Sequence, residues 1–131
     1  MLGMVGNSNT VEGLSTSLGD ESPSVRHTAA WALGRIGDAH AIDALAANLN
    51  DTSAEARSGA VWALGSIGEP RAVDTVIRAL ADPDSDVRTA AAWALGTIGD
   101  PRGEAALRRA VDDQNAEVRN KAAEALLRLR R

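Results

Sequence analysis

At 131 residues the chain has room for one ordinary domain. Hydrophobic residues make up 44% and charged residues 24%, a soluble globular balance, and aromatics only 2%, so any core is built from Ala, Leu, Val and Ile and suits packed helices better than a sheet. A formal net charge of −4 argues against a nucleic-acid partner. The lack of cysteine excludes disulfides and thiolate metal sites, and no apolar run suggests a signal peptide or membrane contact, so a cytoplasmic chain is expected.

In chain order, residues 1–7 read as a lead-in. Leu2-Gly3-Met4-Val5-Gly6-Asn7 lines up with Leu33-Gly34-Arg35-Ile36-Gly37-Asp38, like the tail of a helix whose start is missing. Four units then follow at a period of 31 residues: 8–38, 39–69, 70–100 and 101–131, together one repeat domain spanning 1–131. Each unit reads as a shorter helix A, over roughly 8–18, 39–49, 70–81 and 101–111, and a longer helix B, over roughly 23–36, 54–67, 85–98 and 116–130. Glu69 and Asp100 stand where helix A is capped, with Pro70 and Pro101 at its first position. Ser22, Ser53, Asp84 and Asn115 occupy the N-cap of helix B, and Gly37, Gly68 and Gly99 its left-handed C-terminus. Gly34, Gly65 and Gly96 lie inside helix B, where each costs about 1 kcal/mol relative to Ala, so close approach of another backbone is expected there.

These residues resemble HEAT repeats, in the short 31-residue form of phycobilin-lyase-type proteins and many prokaryotic regulators; artificial proteins built on that consensus are similar too. The resemblance is carried by Val87-Arg88-Thr89-Ala90-Ala91-Ala92-Trp93-Ala94-Leu95-Gly96-Thr97-Ile98-Gly99-Asp100-Pro101 and by the preceding Ala72 to Asp82. It implies an all-α, right-handed α-solenoid of about four helix pairs. Departures are Ala56 for the usual Val, Gly59 inside helix B, and Gly103-Glu104 for an Ala-Val pair, changes expected to loosen units two and four.

Trp31, Trp62 and Trp93 are the only aromatic residues and recur at the same place in helix B. At 100° per residue, Ala29, Ala32, Leu33 and Ile36 form the core stripe, and Trp31 falls away from it on the side of Ser24, His27, Thr28 and Arg35. Trp62 shares its side with Glu55, Ser58 and Ser66, and Trp93 with Asp86, Thr89 and Thr97. Equivalent residues of stacked units are expected about 10 Å apart, one helix width, so the indoles should form a ladder. The resemblance puts helix B on the concave side and these positions at its surface. The candidate partner-binding residues are therefore Trp31, Trp62, Trp93, His27, Arg35, Glu55, Ser58, Asp86 and Thr89. Trp supplies much area at low entropy cost, and Glu55 and Asp86 favour a neutral or basic segment. The structural alternative has the indoles lying flat over small residues of a neighbouring helix.

Arg26, Arg57, Arg88 and Arg119 flank the core, while Asp20, Asp51, Asp82 and Asp113 lie in the A–B turns, so Arg-to-Asp or Arg-to-carbonyl bonds should tie successive turns together. No paired carboxylates, metal spacing, nucleophile elbow or phosphate loop appears, and His27 and His40 sit on different helices, so no catalytic residue, metal or cofactor is assigned and a non-enzyme is expected. The expected partner is a protein or peptide. The resemblance leaves two other readings open: a bilin (tetrapyrrole) lyase or chromophore-handling subunit, and a structural fragment of a longer array. Apolar residues at the two ends, Leu2, Val5 and Val11 against Leu126, Leu127 and Leu129, suggest homodimerisation through open solenoid ends.

Overall fold

The computed structural model describes residues 8–130, which form eight α-helices and no strand. The A helices contain α1 (Ser8–Ser17), α3 (Ile42–Ala47), α5 (Val73–Ala79) and α7 (Glu104–Ala110). The B helices are α2 (Pro23–Ile36), α4 (Ala54–Ile67), α6 (Ser85–Ile98) and α8 (Ala116–Leu129). Leu2 and Val5, with the rest of the lead-in, lie outside the described residues.

Caps explain the B boundaries. Ser22 and Ser53 accept from Val25 N and Ala56 N; Asp84 and Asn115 each accept from the two backbone N–H groups at their second and third following residues. Gly37, Gly68 and Gly99 end α2, α4 and α6 at φ 79°, 78° and 78°, a left-handed turn that only glycine adopts freely.

The A helices differ from expectation at their start. From the second unit on, each opens with one 3₁₀ turn, at Ala39–Ala41, Pro70–Ala72 and Pro101–Gly103, before the α-helix begins. Asp38 and Asp100 cap the N–H two residues on, at His40 and Arg102, and the next N–H returns to the cap residue's own carbonyl, which closes the tighter ring. Glu69 occupies the same position without a side-chain cap bond, because glutamate's extra methylene carries its carboxylate past the N–H groups.

The core is aliphatic and runs the length of the stack. Leu33, Leu64 and Leu95 are fully buried in register, each contributing about 1.5–3 kcal/mol, and no polar residue is buried among those described. Successive B helices pack chiefly on one another. The glycines inside them are the reason they pack so closely: a Cβ on Gly34 would lie 2.8 Å from Ala63 Cα, on Gly65 2.7 Å from Ala94 Cβ, and on Gly96 2.8 Å from Ala125 Cβ.

Neighbouring atoms lie close at the departures from the repeat pattern. Ala56 is fully buried. Gly59 is covered by His27, whose Nδ1 would sit 2.7 Å from an added Cβ, and Gly103 is covered by Leu95, 3.3 Å away. Of the end residues described, Val11 is buried, Leu126 and Leu129 are half-buried, and Leu127 is 59% exposed.

Polar ties hold the A–B turns in line, as the spacing predicts. Arg26 grips Asp51 through Nε at 2.7 Å and Nη2 at 2.9 Å; Arg57 grips Asp82 and Arg88 grips Asp113 with the same fork. The remaining Nη1 of each arginine donates to a carbonyl of its own turn, Asp20, Asp51 or Asp82, and Arg119 does so to Asp113. Hydrogen bonds from these guanidinium groups hold the Asp51 and Asp113 carboxyls below the ordinary carboxylate range, and the Asp82 carboxylate raises Arg57.

Candidate functional site

The indole row forms on one face of α2, α4 and α6, one ring per helix at the position preceding the Ala-Leu-Gly triplet, while α8 has Glu124 there. Trp31 stacks on Trp62 with centroids 6.2 Å apart and planes within 12°; Trp62 stacks on Trp93 at 6.1 Å and 7°. This spacing is well under the helix width expected. The Gly–Ala contacts draw the backbones together, and nearly parallel rings then meet in direct stacking, an arrangement that adds about 0.5–1.5 kcal/mol per pair beyond burial.

The tryptophans are packed on one side and accessible on the other. Trp62 Cζ3 would lie 3.0 Å from a Cβ on Gly34, and Trp93 Cζ3 2.8 Å from one on Gly65, so each ring lies over the glycine of the preceding B helix. Yet Trp62 and Trp93 are only half-buried, and Trp31, at the open end of the stack, is 46% exposed. Arg35, one turn on, places its guanidinium carbon 5.0 Å from the Trp31 ring centroid, within cation–π range.

Beside the row lies a cavity of about 490 Å³ lined by His27, Trp31, Ser58, Gly59, Trp62, Asp86 and Ala90. Five of the nine candidate residues thus converge on one hollow spanning three B helices. Of the others, Trp93 continues the stack and Arg35 covers the ring of Trp31. Glu55 contributes its carbonyl, which lies 3.1 Å from His27 Nδ1 and accepts from Ser58 Oγ at 3.0 Å. Thr89 is half-buried and donates to the Ser85 carbonyl of its own helix, which turns its hydroxyl inward.

Sequence reasoning missed Gly59 and Ala90, which occupy equivalent positions in adjacent helices. Their lack of bulk makes the hollow; the only signal was that Gly59 broke the pattern. Two smaller hollows, of about 200 and 190 Å³, lie between successive A helices, but the carboxylates at their edges, Asp82 and Asp113, are already taken by Arg57 and Arg88.

The carboxylates in the first turn of α4, α6 and α8 are different. Glu55, Asp86 and Glu117 are exposed at one equivalent position, and none has a side-chain partner among the described residues. His40, at the far side of the helix pair, contacts Asp38 at 2.7 Å and lies outside this face. Among the described residues no cluster of His, Asp or Glu could hold a metal ion, and no helix is long and apolar enough to cross a membrane.

Comparisons with known proteins agree on the architecture. The chain is similar to human deoxyhypusine hydroxylase, solved in complex with glycerol, at 28% identity and a TM-score of 0.80 over 93% of this chain and 44% of that one. It is similar to a designed armadillo repeat protein solved in complex with the peptide (KR)4, at 24% identity and a TM-score of 0.73, covering 91% of this chain and 64% of that one. It is also similar to the phycocyanin lyase complex of a Nostoc species, at 24% identity and a TM-score of 0.67 with the same coverage. This chain therefore spans less than half of the hydroxylase and less than two thirds of the other two. A comparison with curated proteins gave no match. The family model for HEAT repeats matches residues 1–57 and 42–127, nearly the whole length, and the chain belongs to the HEAT-repeat family.

Proposed function

We propose that this HEAT-repeat scaffold binds a protein or peptide segment along the B-helix face, across Trp31, Trp62 and Trp93. The observation that carries the reading is the continuous stack of three indoles, open at Trp31 and bordered by the cavity that His27, Ser58 and Asp86 line. The rings advance 6.2 and 6.1 Å per step, so an elongated segment can touch all three at once. Indoles present large, rigid area at little entropy cost, and the polar groups at the hollow's edge supply direction. The chemistry of the hollow suits a neutral or basic segment, since Asp86 has no counter-ion there among the described residues. The reading assigns no catalytic residue: His27 is engaged with the Glu55 carbonyl and His40 with Asp38, on separate elements.

The same geometry weighs against a tetrapyrrole ligand. Trp62 spends both faces on its neighbours, Trp31 and Trp93 spend one each, and the free face of Trp31 is shared with Arg35, so the flat surface left for a chromophore is reduced to the outer side of Trp93.

The test is a peptide selected from a random display library on the wild-type chain. Trp62→Ala, checked for folding by far-UV circular dichroism, should weaken that peptide by about 2 kcal/mol, roughly 30-fold. A selection that yields no peptide, or one that binds the folded variant equally well, rules the reading out.

A further inference from the structure

The arginine–aspartate ladder is half-made at each end of the described stack. Arg26, Arg57 and Arg88 each fork onto the aspartate 25 residues ahead, in the turn of the following unit. Arg119 holds the same place in α8. Its Nη1 donates to the Asp113 and Gln114 carbonyls of its own turn, but its Nε and Nη2 have no partner among the described residues. At the opposite end, Asp20 holds the place that Asp51, Asp82 and Asp113 hold in later units. Its carboxylate accepts from Ser22 N and meets no arginine among the described residues.

Burial breaks at the same two faces. Ala56, Val87 and Val118 are fully buried, whereas their equivalent in α2, Val25, is 40% exposed. Ala30, Val61 and Ala92 are fully buried, whereas their equivalent in α8, Ala123, is exposed. The first set differs from Val25 in having a described B helix stacked before it, and the second differs from Ala123 in having one stacked after it.

We propose that these faces are the two halves of one interface, and that the protein associates head to tail, α8 of one copy against α2 of the next. In that register Arg119 forks onto the next copy's Asp20 as Arg88 does onto Asp113. A second pair of charges meets there. The indole position of α8 is Glu124, so the rung that faces the next copy's Trp31 is a carboxylate instead of a ring. The ring of Trp31 carries the Arg35 guanidinium 5.0 Å from its centroid, and a guanidinium is the group that a carboxylate pairs with best. Leu127 stands where α2, α4 and α6 have glycine, so this junction is wider than an interior rung. Long arginine and glutamate side chains reach across such a gap, where stacked indoles would lose contact. The contact is heterologous, each copy using a different face, so it does not close on itself after two copies and growth continues. It is independent of the peptide-binding reading.

The experiment is sedimentation equilibrium of the intact chain over a range of concentrations, with Asp20→Arg, Arg119→Glu and their equimolar mixture alongside, each checked for folding by far-UV circular dichroism. The wild-type mass should climb past that of a dimer without levelling off. Each variant alone sets like charges against each other and should associate about tenfold more weakly, while the mixture should regain association, because every junction in it then pairs opposite charges. If either turn substitution prevents folding, Glu124→Arg and Arg35→Glu, both on exposed side chains, carry the same test: weak alone and restored when mixed. A wild-type chain that is monomeric at every concentration overturns the proposal. So does a plateau at the dimer mass that Asp20→Arg leaves unchanged, which would show two α8 faces paired with each other. Folded variants whose mixture associates no better than either alone overturn it as well.

Discussion

Replacing Gly65 with Ala tests the close helix contact that brings the indoles together. The new Cβ would meet Ala94 Cβ at 2.7 Å, Trp93 Cζ3 at 2.8 Å and Ala94 Cα at 2.9 Å, all well inside ordinary contact, and two of the three belong to groups that cannot swing away. Forcing an extra methyl into a packed interior costs about 1–3 kcal/mol and occasionally more. Against this, Ala gains about 1 kcal/mol over Gly in a helix. Three simultaneous close contacts put the penalty at the upper end, so the net loss is about 1–3 kcal/mol. Gly13→Ala is the control: Gly13 also lies inside a helix, but no atom of the described residues stands within 4 Å of an added Cβ, so there the propensity acts alone and the chain should gain about 0.5–1 kcal/mol. Denaturant unfolding followed by far-UV circular dichroism measures both. The same Gly65→Ala variant should also lose exciton-coupled signal from the tryptophans, because the helices must part to admit the methyl. If the two substitutions shift the midpoint in the same direction and the indole signal is unchanged, the close-approach argument is wrong.

Other perturbations act on the polar ties and caps. Asp82→Ala removes both fork contacts to Arg57, at 2.9 and 3.1 Å, and the acceptor for Asp84 N, leaving a half-buried guanidinium open; unfolding titrations should show a loss of about 2–4 kcal/mol. The depressed carboxyls of Asp51 and Asp113 make the fold acid-sensitive. Their folded-state values lie below those of the unfolded chain, so their contribution is fully present above about pH 4 and is lost as pH falls through the folded-state values, and the melting temperature should drop over that acid range while staying flat near neutrality. Glu69→Asp should restore the missing cap of the third A helix and raise stability by about 0.5–1 kcal/mol; no gain in the unfolding midpoint would show that the cap geometry at Asp38 and Asp100 is not the cause of their helix starts.

The sequence by itself determined the helices and their order. A 31-residue period, four oxygen-bearing N-caps and three left-handed glycines are local signals, each acting within a few residues, so the B helices could be placed to within a residue and the Arg–Asp ties anticipated. The exposed side of the Trp positions followed from the 100° turn of a helix. Only the tertiary structure decided the distances between helices. How far Gly34 lets α4 approach α2 depends on Ala63 and Trp62 across the contact, residues distant along the chain, so the rung spacing of about 6 Å instead of 10 Å was invisible beforehand. The same holds for the hollow at Gly59: a missing side chain reads as looseness in a sequence, but in the packed stack it becomes a close contact with His27 on one side and open space beside the indoles on the other. Local propensity acts through bonds along one chain segment, whereas cavity and contact arise from which surfaces are left facing each other after the segments pack.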